Sequence, residues 1–220
     1  MYQSQINRMY VKHDFLDRVY QGDILRDLNI ISWDYIGGEC QIKNIKLPYA
    51  VVMTQDCDLD RDYENRKEIK ELESEKNKNV EPEDKSGKKK EKEEKEKHDK
   101  YVPSILICPA YLAESLKEGN HLNELGQRME CWNSKKYSDI IKQNNDRFHY
   151  LEENTDMQIG NLIIDFKHYY TIPRDVLYSI YSDKYLTSLN QLFREQLSQR
   201  FVNYFSRIGL PHLPNCTSDE

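Results

Sequence analysis

The sequence has no stretch of about 18 apolar residues, and no apolar run near residue 1 of the kind that marks a signal peptide. These two absences predict a protein that does not enter a membrane and is located in the cytoplasm. Five cysteines are present, an odd number, and no two of them form a C-x-x-C pair. Reduced thiols are therefore expected, rather than a disulfide framework.

Basic residues are not in excess either. The chain has 32 Lys and Arg against 38 Asp and Glu, which gives a formal net charge of −6. A large surface for non-specific nucleic-acid binding needs a basic excess, so this balance argues against one. A small basic groove remains compatible with the composition.

The charges that are present are concentrated in one segment. Residues 64–100 hold 13 Lys/Arg and 13 Asp/Glu with almost no apolar side chains. Such a segment has no apolar stripe with which to pack on a core, although its Glu/Lys spacing supports a transient helix. We predict that residues 1–63 and 101–220 form one α+β domain, and that residues 64–100 are a charged, disordered insert in it.

Three apolar runs predict strands, at residues 49–54, 104–108 and 160–166. Apolar residues at spacings of three and four then predict a helix over residues 188–208. Many strands followed by a terminal helix favour a small, strongly bent β-sheet or SH3-like barrel, with packed helices and a long C-terminal amphipathic helix.

The densest group of polar side chains follows the apolar run at residues 49–54. It comprises Thr54, Asp56, Cys57 and Asp58. Strand ends and the loops beyond them are where rigid scaffolds display functional groups. The sequence therefore makes these four residues candidates for a catalytic site.

Several interpretations of this cluster are open. Asp56 and Asp58 carry the oxygen ligands that a divalent metal prefers, and no other cofactor is predicted. Cys57 is a candidate nucleophile if a cation, for which His149 and Arg147 are candidates, offsets the carboxylates beside it. Cys57 and Cys108 with a histidine are a candidate zinc site. In a purely structural interpretation, Cys57 packs at the strand end and the two aspartates cap a turn.

A second group of candidate residues comes later in the chain. Strand alternation places Arg147 and His149 on one face, where they are able to bind phosphate or the acidic side chains of Asp56 and Asp58. The structural alternative is a surface pair on a half-exposed strand. Asp165 lies inside an apolar run, so we expect it to be hydrogen-bonded or to belong to a site.

Four motifs occur in an order that is typical of a known family. They are QGDIL (21–25), PYAVVMT (48–54), ILICPA (105–110) and an apolar strand that ends in a threonine before a helix (162–177). In this order they resemble the MazF/PemK family of small β-barrel toxin endoribonucleases. The resemblance is discontinuous and covers roughly residues 20–60 and 103–180.

The resemblance implies an SH3-like barrel and the context of a bacterial conflict system, such as toxin–antitoxin or phage defence. The family's catalytic arginine precedes the proline of its RPAVVLS-like strand, but here Leu47 precedes Pro48. Thr54 matches the family's hydroxyl residue. The resemblance thus implies the fold more than ribonuclease activity.

The leading hypothesis is a binding or regulatory module of a conflict system, acting with a protein partner or nucleic acid. One alternative is a nuclease or other hydrolase centred on residues 54–58, with Arg147 or His149 stabilising charge. Another is a structural subunit that forms a homodimer through the helix at 188–208. An enzyme should gather its candidate residues around one pocket, whereas a binding module should scatter them and expose an apolar patch.

Overall fold

The computed structural model describes residues 8–78 and 98–207. Within those ranges the chain forms eight β-strands and five α-helices. The strands are β1 (Tyr10–Val11), β2 (Asp23–Ile36), β3 (Glu39–Val52), β4 (Ser104–Leu112), β5 (Phe148–Leu151), β6 (Leu162–Asp165), β7 (Tyr170–Pro173) and β8 (Tyr185–Leu189). The helices are α1 (Asp56–Lys78), α2 (Ala113–Lys117), α3 (Ser134–Ile141), α4 (Arg174–Lys184) and α5 (Gln191–Phe205).

The eight strands join one antiparallel sheet in the order β1-β8-β2-β3-β4-β6-β5, and β7 pairs with the first half of β4. The predicted α+β class is therefore confirmed. Among the described strands, β1 pairs only with β8 and β5 pairs only with β6. The sheet consequently has two ends and does not close, so the SH3-like barrel is not confirmed.

The centre of the sheet is the pairing of β3 with β4, which places Val51 opposite Cys108 and Val52 opposite Ile107. Val52 and Ile107 face one apolar core, which α4 covers. Val51 and Cys108 face a second core on the other side, which α5 covers. Burial on both faces explains why these strands read as continuous apolar runs in the sequence.

The β2–β3 hairpin extends well beyond the sheet. Only Asp23–Leu25 of β2 pairs with β8, and only Tyr49–Val52 of β3 pairs with β4. Residues 28–36 and 39–47 pair with each other alone among the described strands, and we call residues 28–47 the arm. Gly37 and Gly38 close it with φ of 63° and 92°, the two positive angles that a two-residue type I′ turn requires.

The arm meets the sheet at an irregular rung formed by Asp27 and Pro48. On β2, the residue that faces the core under α4 is odd-numbered before this rung, at Leu25, but even-numbered after it, from Leu28 onward. Asp27 has a left-handed φ of 51°, and Pro48 has no backbone N–H to donate to the ladder. The arm's core-facing side is consequently buried only near this rung.

Helix α1 begins at Asp56 and ends at Lys78, so the predicted domain boundary at residue 63 falls inside it. Residues 64–78 of the predicted insert are helical. The start of the helix is anchored because Leu59, Asp62 and Asn65 are buried on one face. The part of the predicted disordered insert at residues 79–97 lies outside the described residues.

The C-terminal helix is shorter than the predicted segment of 188–208. Helix α5 runs from Gln191 to Phe205, and the side chain of Asn190 caps it by accepting a hydrogen bond from the Gln191 N–H at 2.6 Å. Ser188 and Leu189 belong to β8. The long amphipathic helix is thus not confirmed, and Ile208 lies outside the described residues.

Candidate functional site

The predicted cluster at residues 54–58 lies where β3 gives way to α1. Thr54 Oγ1 accepts a hydrogen bond of 2.7 Å from the Leu106 N–H, which ties the exit of β3 to β4. Asp56 and Asp58 lie in the first turn of α1, where carboxylates are stabilised by the helix dipole. The hydroxyl and both carboxylates therefore have structural roles at this junction.

Asp56 is also held by two arginines. Its Oδ1 lies 3.2 Å from Arg18 Nη2 and its Oδ2 lies 3.5 Å from Arg194 Nη1. Arg18 additionally contacts Asp60 at 2.8 Å. These ion pairs connect α1 to the segment before β2 and to α5, so the charge of Asp56 is already balanced by the protein.

The metal and thiol hypotheses for this cluster gain no support from these contacts. Within residues 8–78 and 98–207, no three His, Cys, Asp or Glu side chains come together in a way that would hold a metal ion. Cys57 is exposed and donates weakly to Gln55 and Asp58, both at 3.7 Å. Cys108, its predicted zinc-binding partner, is buried in β4.

Arg147 binds the carboxylate of Asp165, whereas the sequence suggested Asp56 and Asp58 as its acidic partners. Its Nε donates to Asp165 Oδ1 at 2.8 Å and its Nη2 donates to Asp165 Oδ2 at 2.7 Å. This bidentate bond raises the pKa of Arg147. Asp165 is fully buried and also accepts from the Lys167 N–H at 3.0 Å, so the expectation that it is hydrogen-bonded is confirmed.

His149 is buried with 2% of its surface exposed, beside the ring of Phe166. Burial, together with the nearby positive charge of Arg200, lowers the pKa of His149 to about 3. The imidazole is therefore neutral near pH 7. A neutral buried ring does not supply the positive charge that the phosphate-binding and thiolate hypotheses assigned to it.

The predicted residues thus form two groups with separate partners. The first group is at the start of α1, beside a cleft of about 270 Å³ lined by Thr54, Asp58, Arg61 and residues 99–103. The second group, Arg147 and His149, contacts Asp165 and Phe166 on the β5–β6 side of the sheet. The nuclease alternative stays a prediction.

Lowering the pH from 7 to 5 should destabilise the protein partly through His149. The unfolded chain takes up a proton near pH 6.5, but folded His149 does not until about pH 3, so stability is lost as the pH falls through this window. The contribution is about 2 kcal/mol. Urea unfolding at both pH values should show a smaller loss for His149→Gln, and an equal loss in both proteins would contradict the assignment.

A further surface was not identified from the sequence. On one side of the arm, Ile31, Trp33, Tyr35 and Ile42 have exposed fractions of 69%, 66%, 74% and 64%. Trp33 lies directly opposite Ile42, and Tyr35 lies opposite Cys40. We call these five residues the arm face. Their alternation in the sequence signals a common face of a strand, but it does not indicate whether that face is covered.

No family model, curated protein or solved structure matches this chain. The MazF/PemK resemblance accordingly rests on its motifs and stays a prediction. Among the described residues, no helix is both long enough and apolar enough to span a bilayer.

Proposed function

We propose that this chain is a non-catalytic protein-binding module, and that the arm face is its docking surface. The observation that supports the proposal is the exposure of Ile31, Trp33, Tyr35 and Ile42 side by side on a hairpin that projects from the sheet. At these exposures the four side chains present about 500 Å² of apolar surface. The largest contiguous apolar patch on a protein surface is of about this size, and it is often functional.

The separation of the other candidate residues also favours binding over catalysis. The side chains at the start of α1 are engaged with Arg18 and Arg194, whereas Arg147 is engaged with Asp165. A hydrolase needs an acid or base and a charge-stabilising group around one reacting atom. These contacts instead serve to join elements of the fold.

A protein partner is favoured over nucleic acid because of the charge of the arm. Asp34 and Glu39 balance Lys43 and Lys46, and Lys46 lies 3.1 Å from Asp27 in an ion pair. Aromatic side chains stack on bases, but nucleic-acid surfaces combine such stacking with a basic groove. The role in a bacterial conflict system, which the MazF/PemK resemblance suggests, is part of this proposal.

Replacing Trp33 and Ile42 together by threonine should abolish partner binding. Threonine keeps the strand propensity and removes most of the apolar surface. A tagged chain isolated from the cells that make it should retain a stoichiometric protein partner after nuclease treatment. The double variant should recover at least tenfold less of that partner.

The matched control for this experiment is Ile36→Thr. Ile36 is 55% exposed and lies on the same arm, but on the opposite side from Trp33. This variant should bind like the original chain. Equal recovery by the double variant, or loss of the complex on nuclease treatment, would overturn the proposed docking role.

A further inference from the structure

We infer that the partner at the arm face is a second copy of this chain, with the two arms packed face to face about a two-fold axis. This inference rests on the proposed docking role of the arm and specifies the partner. It is carried by the arrangement of the face, by the area it offers and by the absence of charged side chains from its rungs.

The arm face is complementary to itself. Its central rung is the Trp33–Ile42 pair, with Tyr35 one rung nearer the tip and the Ile31–Asn44 pair one rung nearer the sheet. A two-fold axis that runs along the central rung, between the two layers, places the tip rung of each copy on the Ile31–Asn44 rung of the other. All four apolar side chains are then covered in both copies, and Tyr35 of each copy packs on Ile31 of the other, as an isologous interface requires.

The area is sufficient for a specific interface. Two copies of a face of about 500 Å² bury about 1,000 Å² in total, which is the lower bound for specific association. The arm also needs a covering layer, because an isolated two-stranded ribbon is only marginally stable in water. A second ribbon stacked on it forms a two-layer packing of the kind found in β-sandwiches.

The charged side chains near the centre of the arm do not oppose this contact, because they lie off the arm face. Asp34, Glu39 and Lys43 alternate with the arm-face residues along their strands, which places them on the side opposite Trp33. The three rungs of the arm face therefore contain no charged side chain. Interface cores are depleted of charged residues, and this contact buries no unpaired charge at its centre.

The first measurement is the mass of the purified full chain over a range of concentrations. The chain should approach twice its mass of 26.3 kDa, and Ile36→Thr should do the same. The association midpoint of the Trp33→Thr/Ile42→Thr variant should move to at least tenfold higher concentration. A monomer at every concentration, or a dimer that the double variant still forms equally well, would overturn the inference.

The second measurement locates the interface without altering the arm. Cys40 lies on the arm face, and Cys131 is an exposed thiol outside the arm. In the dimer, alkylation of Cys40 by a bulky maleimide should be at least tenfold slower than in the double variant, with Cys131 equally reactive in both. Unprotected Cys40 in a dimer would place the contact elsewhere, for example on α5, and overturn the inference.

These outcomes are distinct from failure of the docking role itself. If the purified chain is monomeric but its arm face still retains a different protein in cells, self-association is wrong and the docking role stands. If the chain neither associates nor loses a cellular partner when Trp33 and Ile42 are replaced, both are wrong.

Discussion

Replacement of Asp23 by alanine is expected to lower the free energy of unfolding by about 3–5 kcal/mol. Asp23 is fully buried at the start of β2. Its Oδ2 accepts hydrogen bonds from the Tyr181 hydroxyl at 2.6 Å and the Tyr20 N–H at 2.7 Å, and its Oδ1 accepts one from Ser188 Oγ at 2.5 Å. Alanine leaves all three donors without this acceptor in a site that water does not reach.

Denaturant unfolding of Asp23→Ala, Asp23→Asn and Tyr181→Phe tests this expectation. Asparagine keeps one acceptor oxygen, so its cost should be clearly smaller than that of alanine. Tyr181→Phe removes only one hydrogen bond to a carboxylate and should cost about 1.5–3 kcal/mol. A loss below about 1 kcal/mol for Asp23→Ala would show that this network contributes little to stability.

Gly119→Ala should cost about 3 kcal/mol or more. Gly119 follows α2 with a positive φ of 75°, which is unfavourable for any residue with a Cβ. A Cβ at this position would also overlap the backbone carbonyl of Met129. Because a backbone atom cannot move aside alone, the segment that carries the buried Trp132 must shift with it.

The matched control is Gly126→Ala. Gly126 has a similar φ of 70°, but among the described residues, apart from Gly126 and its two chain neighbours, no atom lies within 4 Å of the position a Cβ would take. Only the backbone strain remains, so this variant should cost about 1 kcal/mol. Thermal or urea unfolding of the two variants separates the clash from the strain, and equal losses would refute the clash as the cause.

The apolar runs allowed much of the central sheet to be predicted. Residues 49–54 and 104–108 read as strands because both of their faces are buried, and they pair with each other as β3 and β4. The hydrogen bonding of Asp165 was also predictable, since an unpaired carboxylate inside an apolar strand is costly. The partner of Asp165 was not predictable, because it depends on the β5–β6 register that places Phe148 opposite Asp165.

Elements that depend on distant pairing were missed. Leu189 continues the apolar spacing of α5, so the sequence alone places it and Ser188 in the helix. They form a strand because β8 pairs with Asp23–Leu25 and with β1, at least 160 residues earlier in the chain. Likewise, the alternation of Ile31, Trp33 and Tyr35 is the same for a covered face as for an exposed one.

The partners of the candidate site residues were also missed, because they too come from distant parts of the chain. Asp56 and Asp58 were read as a display of functional groups at a strand end, because a local pattern does not reveal which cations fold back onto it. Arg18 and Arg194 come from opposite ends of the chain and meet at Asp56. The sequence likewise did not reveal that Arg147 would bind Asp165, or that burial would remove the charge of His149 on which its proposed role depended.

The position of β8 between β1 and β2 has a consequence for synthesis on the ribosome. Tyr10 and Val11 are synthesised well before β8, which is their only strand partner among the described residues and ends at Leu189. At about 5–20 residues per second, β1 waits on the order of 10–40 s for that partner. The sheet is therefore completed only after Leu189 has left the ribosome, and a nascent chain that stalls after β3 presents the apolar edges of β2 and β3 to chaperones or to neighbouring nascent chains.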